Sequence, residues 1–285
     1  MTPDPVGRLD ALLPPDMARR AEEIGVAKTR MDAGRTAALA VLAGAFIALG
    51  AAFATVALTG STGAAWGATR VLAGVVFSTG LVLVLVGGAE LFTGNSLIVM
   101  AWAAGRVSTA AVARNWAIVY AGNLLGAVGV AALLWAGRVH ELGGGTFGAT
   151  ALAIAAPKLR LGFVQAVALG ILCNVLVCLA VWLTLSARST TDRLLAIVPP
   201  VSCFVATGFE HSVANMYFVP FGLLVTTLDP GFVAARGLDA EVAALGWTRF
   251  LLVNLLPVTV GNVIGGAVLV GAVYWFVYLR GRPAP

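Results

Sequence analysis

Apolar residues run along this chain in six long blocks, at about 36–58, 70–106, 110–135, 161–185, 193–229 and 246–279. About 20 apolar residues carry a helix across a bilayer core, so each block is long enough for one crossing. Blocks two and five exceed one span, and each holds a polar interruption, at 87–95 and 206–215. The pattern predicts an all-α integral membrane protein of six transmembrane helices, with helices 2 and 5 interrupted. Trp66, Trp102, Trp135, Trp182, Trp247 and Trp275 fall near block ends, where an interfacial aromatic belt belongs. Residues 1–35 precede the blocks as a polar segment. There Asp16, after Pro14-Pro15, can cap a helix in which Met17, Ala21, Ile24 and Met31 recur near helical spacing. Arg19, Arg20, Glu22, Glu23, Lys28 and Arg30 make it too polar to span. It is either a solvated leader or an interfacial helix lying under the membrane domain. Residues 36–280 are expected to form one transmembrane channel domain, and 281–285 a cytoplasmic tail.

The blocks repeat. At an offset of 120, Ala48-Leu49-Gly50 matches Ala168-Leu169-Gly170, Glu90 matches Glu210 and Asn95 matches Asn215; at an offset of 139, Asn115 matches Asn254, Gly122-Asn123 matches Gly261-Asn262 and Gly126 matches Gly265. Blocks one to three thus recur as blocks four to six. Three spans is an odd number, so the second copy enters from the opposite face. This gives an inverted 3+3 repeat, and such folds place their pathway where interrupted helices meet.

Composition narrows the class. The 285 residues are 60% hydrophobic and 11% charged, against about 45–50% and about 25% in soluble domains. That excludes a water-soluble enzyme, and the net charge of +5 is spread over loops rather than gathered for nucleic acid. With the N-terminus cytoplasmic, the inner segments hold twelve bases: Arg8, Arg19, Arg20, Lys28, Arg30, Arg35, Arg106, Arg114, Arg188, Arg193, Arg280 and Arg282. The outer segments hold six: Arg70, Arg138, Lys158, Arg160, Arg236 and Arg249. The bias puts both termini in the cytoplasm. The first 35 residues show no signal-peptide core. Cys173, Cys178 and Cys203 lie in apolar runs and read as small buried hydrophobes, with no disulfide or metal set. No catalytic motif, cofactor fingerprint or metal cluster is found.

Glu90, Glu210 and His211 lie within the interruptions, and an ionisable group at membrane depth marks a pathway. Glu90 and Glu210 occupy equivalent places. Two roles are open to them, bracing the loop by accepting its N–H groups, or handling substrate, and bracing suits a symmetric pair. His211 has Leu91 as its repeat equivalent, so it breaks the symmetry and is the sharper functional candidate. Its alternative is a neutral ring bonded to backbone. His140, in a glycine-rich loop, is expected to be solvated. Asn174 is either interhelical glue or pore lining. Asn115, Asn123, Asn254 and Asn262 read as glue, and Gly122, Gly126, Gly261 and Gly265 as close-contact faces.

The stretches Ala-Glu-Leu-Phe-Thr-Gly-Asn at 89–95, Gly-Phe-Glu-His-Ser-Val-Ala-Asn-Met at 208–216 and Asn-Leu-Leu-Pro-Val-Thr-Val-Gly-Asn at 254–262 resemble the formate/nitrite transporter family, over about residues 15–280. The second stretch, followed by Pro220, is closer to the formate branch. The resemblance implies an aquaporin-like protomer in a homopentamer in a bacterial inner membrane, with one pore per protomer. It implies a small monovalent anion as cargo, formate first, with nitrite or hydrosulfide as the alternative. By position, Phe77, Leu81, Leu91 and Phe204 match constriction residues, with Phe77 and Phe204 narrowing the path on either side of a chamber near His211. Thr93 and His211 match the chamber pair, which Asn174 joins. Lys158 matches a vestibule cation, and Asn95 and Asn215 stand with the bracing glutamates. His211 could then protonate the anion, as a proton symporter or a pH-gated channel.

Overall fold

The computed structural model describes residues 11–61 and 63–281; Arg8, Arg282 and the rest of the tail lie outside them. The described residues are helical, without strands. Helix α1 is Pro14–Arg30, α2 Ala33–Leu58 and α3 Trp66–Gly87. A loop and a 3₁₀ turn, Gly94–Ile98, lead into the short α4, Val99–Ala103. Then come α5 Thr109–Ala136, α6 Thr146–Lys158, α7 Phe163–Ser186, α8 Thr190–Thr207 and α9 Ser212–Leu228. Short helices α10 (Pro230–Ala234) and α11 (Asp239–Val242) precede the last span, α12, Trp247–Tyr278.

Five helices, α2, α3, α5, α7 and α12, are each long and apolar enough to cross a membrane, and α8 with α9 makes a sixth span bent by 51° at its break. This is the six-span, twice-interrupted design that the apolar blocks predict. The outward faces carry bare leucines, valines and phenylalanines such as Leu42, Phe53, Leu125 and Phe276, as lipid-facing helices require. Inside, small residues set the spacing. A Cβ added at Gly126 would sit 1.9 Å from the Val41 carbonyl oxygen, and one at Gly265 2.3 Å from that of Ile171, so these faces close only because both residues lack one.

The repeat reaches further than the apolar blocks suggest. The burial pattern of residues 21–50 recurs position for position at 151–180, except at Leu49, which is exposed where Leu179 is half-buried. The offset there is 130, not 120. The Glu90 N–H donates to the Leu39 carbonyl and the Glu210 N–H to the Leu169 carbonyl. The match of Ala48-Leu49-Gly50 to Ala168-Leu169-Gly170 is therefore ten residues out of register: Ala-Leu-Gly triplets recur too easily among apolar spans to fix an alignment. The corrected register makes α1 the counterpart of α6, and Lys28 the counterpart of Lys158.

Helix α1 packs Met17, Ala18 and Ala21 against Met100, Trp182 and Leu279, and Ser186 Oγ donates to the Leu12 carbonyl. The described ends of the chain thus meet at one end of the bundle. Helix α1 is packed on the end of the helical bundle. Trp182 is 4% exposed and stacks on Tyr274 at 4.1 Å. It is a packing residue of this junction rather than part of the aromatic belt expected for it. Cys173 and Cys178 are buried as expected, but Cys203 is exposed on α8.

Candidate functional site

Both interrupted spans break at a glycine that takes the left-handed conformation, Gly88 (φ 84°) and Gly208 (φ 76°), where a side chain would be strained. Each break is held by the same set of bonds. Asn123 Oδ1 accepts the Phe92 N–H at 2.9 Å, and Asn262 Oδ1 accepts the Ser212 N–H at 2.9 Å. Their amides donate back to the Glu90 and Glu210 carbonyls, each at 2.9 Å. The glutamate side chains look the other way. Glu90 takes Lys28 Nζ at 2.6 Å and Asn95 Nδ2 at 2.7 Å; Glu210 takes Lys158 Nζ at 2.7 Å and Asn215 Nδ2 at 2.6 Å. Asn115 and Asn254 close the two networks through Asn95 and Asn215. The glutamates brace the loops, as the symmetry suggests, yet through lysine and asparagine side chains rather than loop N–H groups. A carboxylate buried in hydrocarbon needs such an opposite charge and satisfied lone pairs.

His211 caps the N-terminus of α9. Its Nδ1 accepts the Ala214 N–H at 3.0 Å, and its Nε2 lies 3.1 Å from Thr93 Oγ1. A backbone N–H only donates, so Nδ1 is a bare lone pair and the ring proton sits on Nε2, donating to Thr93. The ring is 3% exposed and stacks on Phe204 at 5.8 Å between centroids. Thr93 is fixed from behind: its carbonyl accepts Asn174 Nδ2 at 3.3 Å and Cys178 Sγ at 3.3 Å. Asn174 also donates to the Asn262 carbonyl at 2.6 Å and to Ser96 Oγ at 3.2 Å. Expected in the chamber, Asn174 is instead fully buried behind the loop, aiming its amide at the Thr93 backbone.

A cavity of about 810 Å³ opens at the α1 end, lined among others by Lys28, Leu81, Glu90, Leu91, Arg188 and Arg193. From the other end a narrower cavity of about 80 Å³ reaches Arg70, Phe77, Lys158, Phe204 and His211. Phe77 and Phe204 meet edge to face at 5.6 Å between centroids. They pack together beside the smaller cavity on the Lys158 side, not on either side of a chamber as expected. Leu81 and Leu91, 2% and 3% exposed, line the floor of the larger cavity instead. The residues expected to constrict thus divide into an aromatic pair, which lines the smaller cavity with His211, and an aliphatic pair, which lines the larger.

Lys28 was not singled out in sequence, because α1 reads by composition as a polar helix outside the domain. The signal was present in the 130-residue register. Lys158, placed at the vestibule, is only 15% exposed and is paired with Glu210. His140 is not solvated: it is 2% exposed, donates from Nε2 to Asp229 Oδ2 at 3.2 Å and packs edge-on to Phe232. That hydrogen bond, with the Phe232 N–H on the same carboxylate, holds Asp229 below the usual carboxylate range against a smaller opposing effect of desolvation.

A family model described as formate/nitrite transporter matches residues 15–276. The formate channel FocA of Escherichia coli K12 is 44% identical over 273 residues, 95% of this chain and 96% of that protein. A solved structure described as a pentameric formate channel with formate bound superposes with a TM-score of 0.82 at 44% identity, covering 87% of this chain and 98% of that one. An ion channel of the same family superposes with a TM-score of 0.79 at 27% identity, over 92% and 98% of the two chains.

Proposed function

The chain belongs to the formate/nitrite transporter family, a family of multi-pass membrane proteins, and from that premise we propose that it conducts formate or a similarly small monovalent weak-acid anion, with His211 setting the proton balance. One observation carries this reading: the His211 Nε2–H is presented to Thr93 beside the Phe77 and Phe204 pair of the smaller cavity, while Leu81 and Leu91 line the larger. An apolar ring withholds the water that a charged anion needs. Beside such a ring, a donated hydrogen bond or proton is what lets a weak acid pass. Lys28 and Lys158 stand one toward each cavity, each paired with its glutamate, so they hold the loops and add little net charge at either mouth. A homopentamer in a bacterial inner membrane, with both termini cytoplasmic, agrees with the pentameric relative and with the excess of bases at the α1 end.

The test is formate uptake into proteoliposomes at pH 5 and pH 8, with nitrite and hydrosulfide as competitors. Uptake above empty liposomes, faster on the acid side and weakly inhibited by the competitors, is expected. Formate uptake no faster than in empty liposomes would overturn the reading, and strong preference for a competitor would reassign the anion.

A further inference from the structure

We propose that Arg70 is a positioning and specificity residue of the mouth on the Lys158 side, and this rests on the anion-pathway reading above. Arg70 is the fifth residue of α3 and reaches across to the end of α8. Its Nε donates to the Ala206 carbonyl at 3.0 Å and its Nη2 to the Val205 carbonyl at 2.9 Å. The last carbonyls of a helix lack intrahelical donors, and together they carry a charge of about −0.5. Here that negative end faces the small cavity, beside Phe204 and His211. Gly208 leaves room for the guanidinium, since a Cβ there would lie 3.2 Å from Nη2.

Charge at this mouth depends on Arg70 more than on Lys158. Lys158 is neutralised by Glu210 at 2.7 Å, whereas Arg70 has no carboxylate partner among the described residues. An anion entering this cavity therefore meets one uncompensated cation. That cation offsets the carbonyl end that would otherwise repel it, and it holds the last turn of α8 that carries Phe204. The fork is a property of arginine: a lysine ammonium keeps the charge but does not span two adjacent carbonyls in one plane. The device exists in one half only, because the position equivalent to Arg70, at the offset of 120 shared by the interrupted spans, is the exposed Thr190.

The experiment compares native protein, Arg70→Gln and Arg70→Lys in proteoliposomes, with formate, acetate, nitrite and hydrosulfide as cargo and with assembly checked by native mass spectrometry. Removing the charge should raise KM about fivefold or more for whichever anion the native protein moves. Arg70→Lys should keep KM within about twofold of native but lose discrimination between formate and acetate. An assembled Arg70→Gln with native KM and native selectivity overturns the proposal. Should Arg70→Gln not assemble, Arg70→Lys decides alone: native discrimination overturns the positioning role, and lost discrimination at native KM supports it. A native protein that moves nitrite or hydrosulfide but not formate overturns the formate reading and leaves the Arg70 comparison to be scored on that anion. A native protein that moves none of the four overturns both.

Discussion

The two half-membrane loops, 88–93 and 208–213, begin alike and end differently. Both open on a left-handed glycine, both send a glutamate to a lysine, and both have their backbone clamped by an asparagine of the third span of their own half. They then diverge. The first carries Leu91 and Thr93 and runs into a 3₁₀ turn and the short α4; the second carries His211 and Val213 and runs into the seventeen residues of α9. The shared parts build a frame that holds irregular backbone at membrane depth, where every polar group needs a partner. The parts that differ bring one imidazole to one hydroxyl. Symmetry marks the scaffold, and departure from it marks the chemistry.

The largest expected effect breaks the shared frame. Glu90→Ala and Glu210→Ala each strand a lysine and an asparagine. Each should cost about 3 kcal/mol, the low end for a broken buried pair because Lys28 is 24% exposed. Unfolding of the detergent-solubilised variants measures this. Closely similar losses would support the equivalence of the two loops, and a loss confined to Glu210→Ala would break it.

A smaller effect sharpens the asymmetry. Asn174 holds the Thr93 carbonyl from α7, whereas its counterpart at the 130 offset is Gly44, where a Cβ would lie 2.0 Å from the Asn123 carbonyl oxygen. Asn174→Ala should cost roughly 1–3 kcal/mol and lower anion flux while leaving the Lys28 and Lys158 pairs intact. Unchanged flux would mean that Thr93 needs no support from behind.

Much of this was legible in the sequence, and the failures have physical causes. Six spans, two interruptions, paired glutamates and an unpaired His211 follow from apolar length and from which polar residues sit inside it. The register of the first span was not legible. The offset changes from 130 to 120 to 139 because α2, α3 and the connection between them are together longer than α7, α8 and theirs, while the second half inserts α10 and α11. Short runs of Ala, Leu and Gly cannot detect such shifts. Lys28 was hidden for the same reason. The contact of Phe77 with Phe204 and the burial of His140 depend on tertiary packing, and nothing in the local pattern of either residue encodes it.

The smallest effect lies outside the pathway, in the link between His140 and Asp229. The folded protein holds the Asp229 carboxyl below its ordinary value, chiefly by the His140 hydrogen bond. Its contribution to stability is therefore present above the ordinary carboxylate range and lost as pH falls through the depressed value. Asp229→Asn should flatten the acid limb of a melting-temperature profile and leave the neutral limb in place. An acid limb identical to native would show that this link adds nothing to stability.

In the proposed pathway the His211 Nε2–H serves the passing anion. His211→Asn isolates it, because asparagine is a good N-cap and can keep the Ala214 N–H bonded while removing the imidazole proton from Thr93. The measurement is formate flux through native and Asn proteins in proteoliposomes across about pH 5 to 8, the range in which histidine ordinarily titrates. The variant should fold and assemble as native but lose the native dependence of flux on pH. Superimposable profiles would contradict it, leaving His211 a cap on α9 and the proton to come from water.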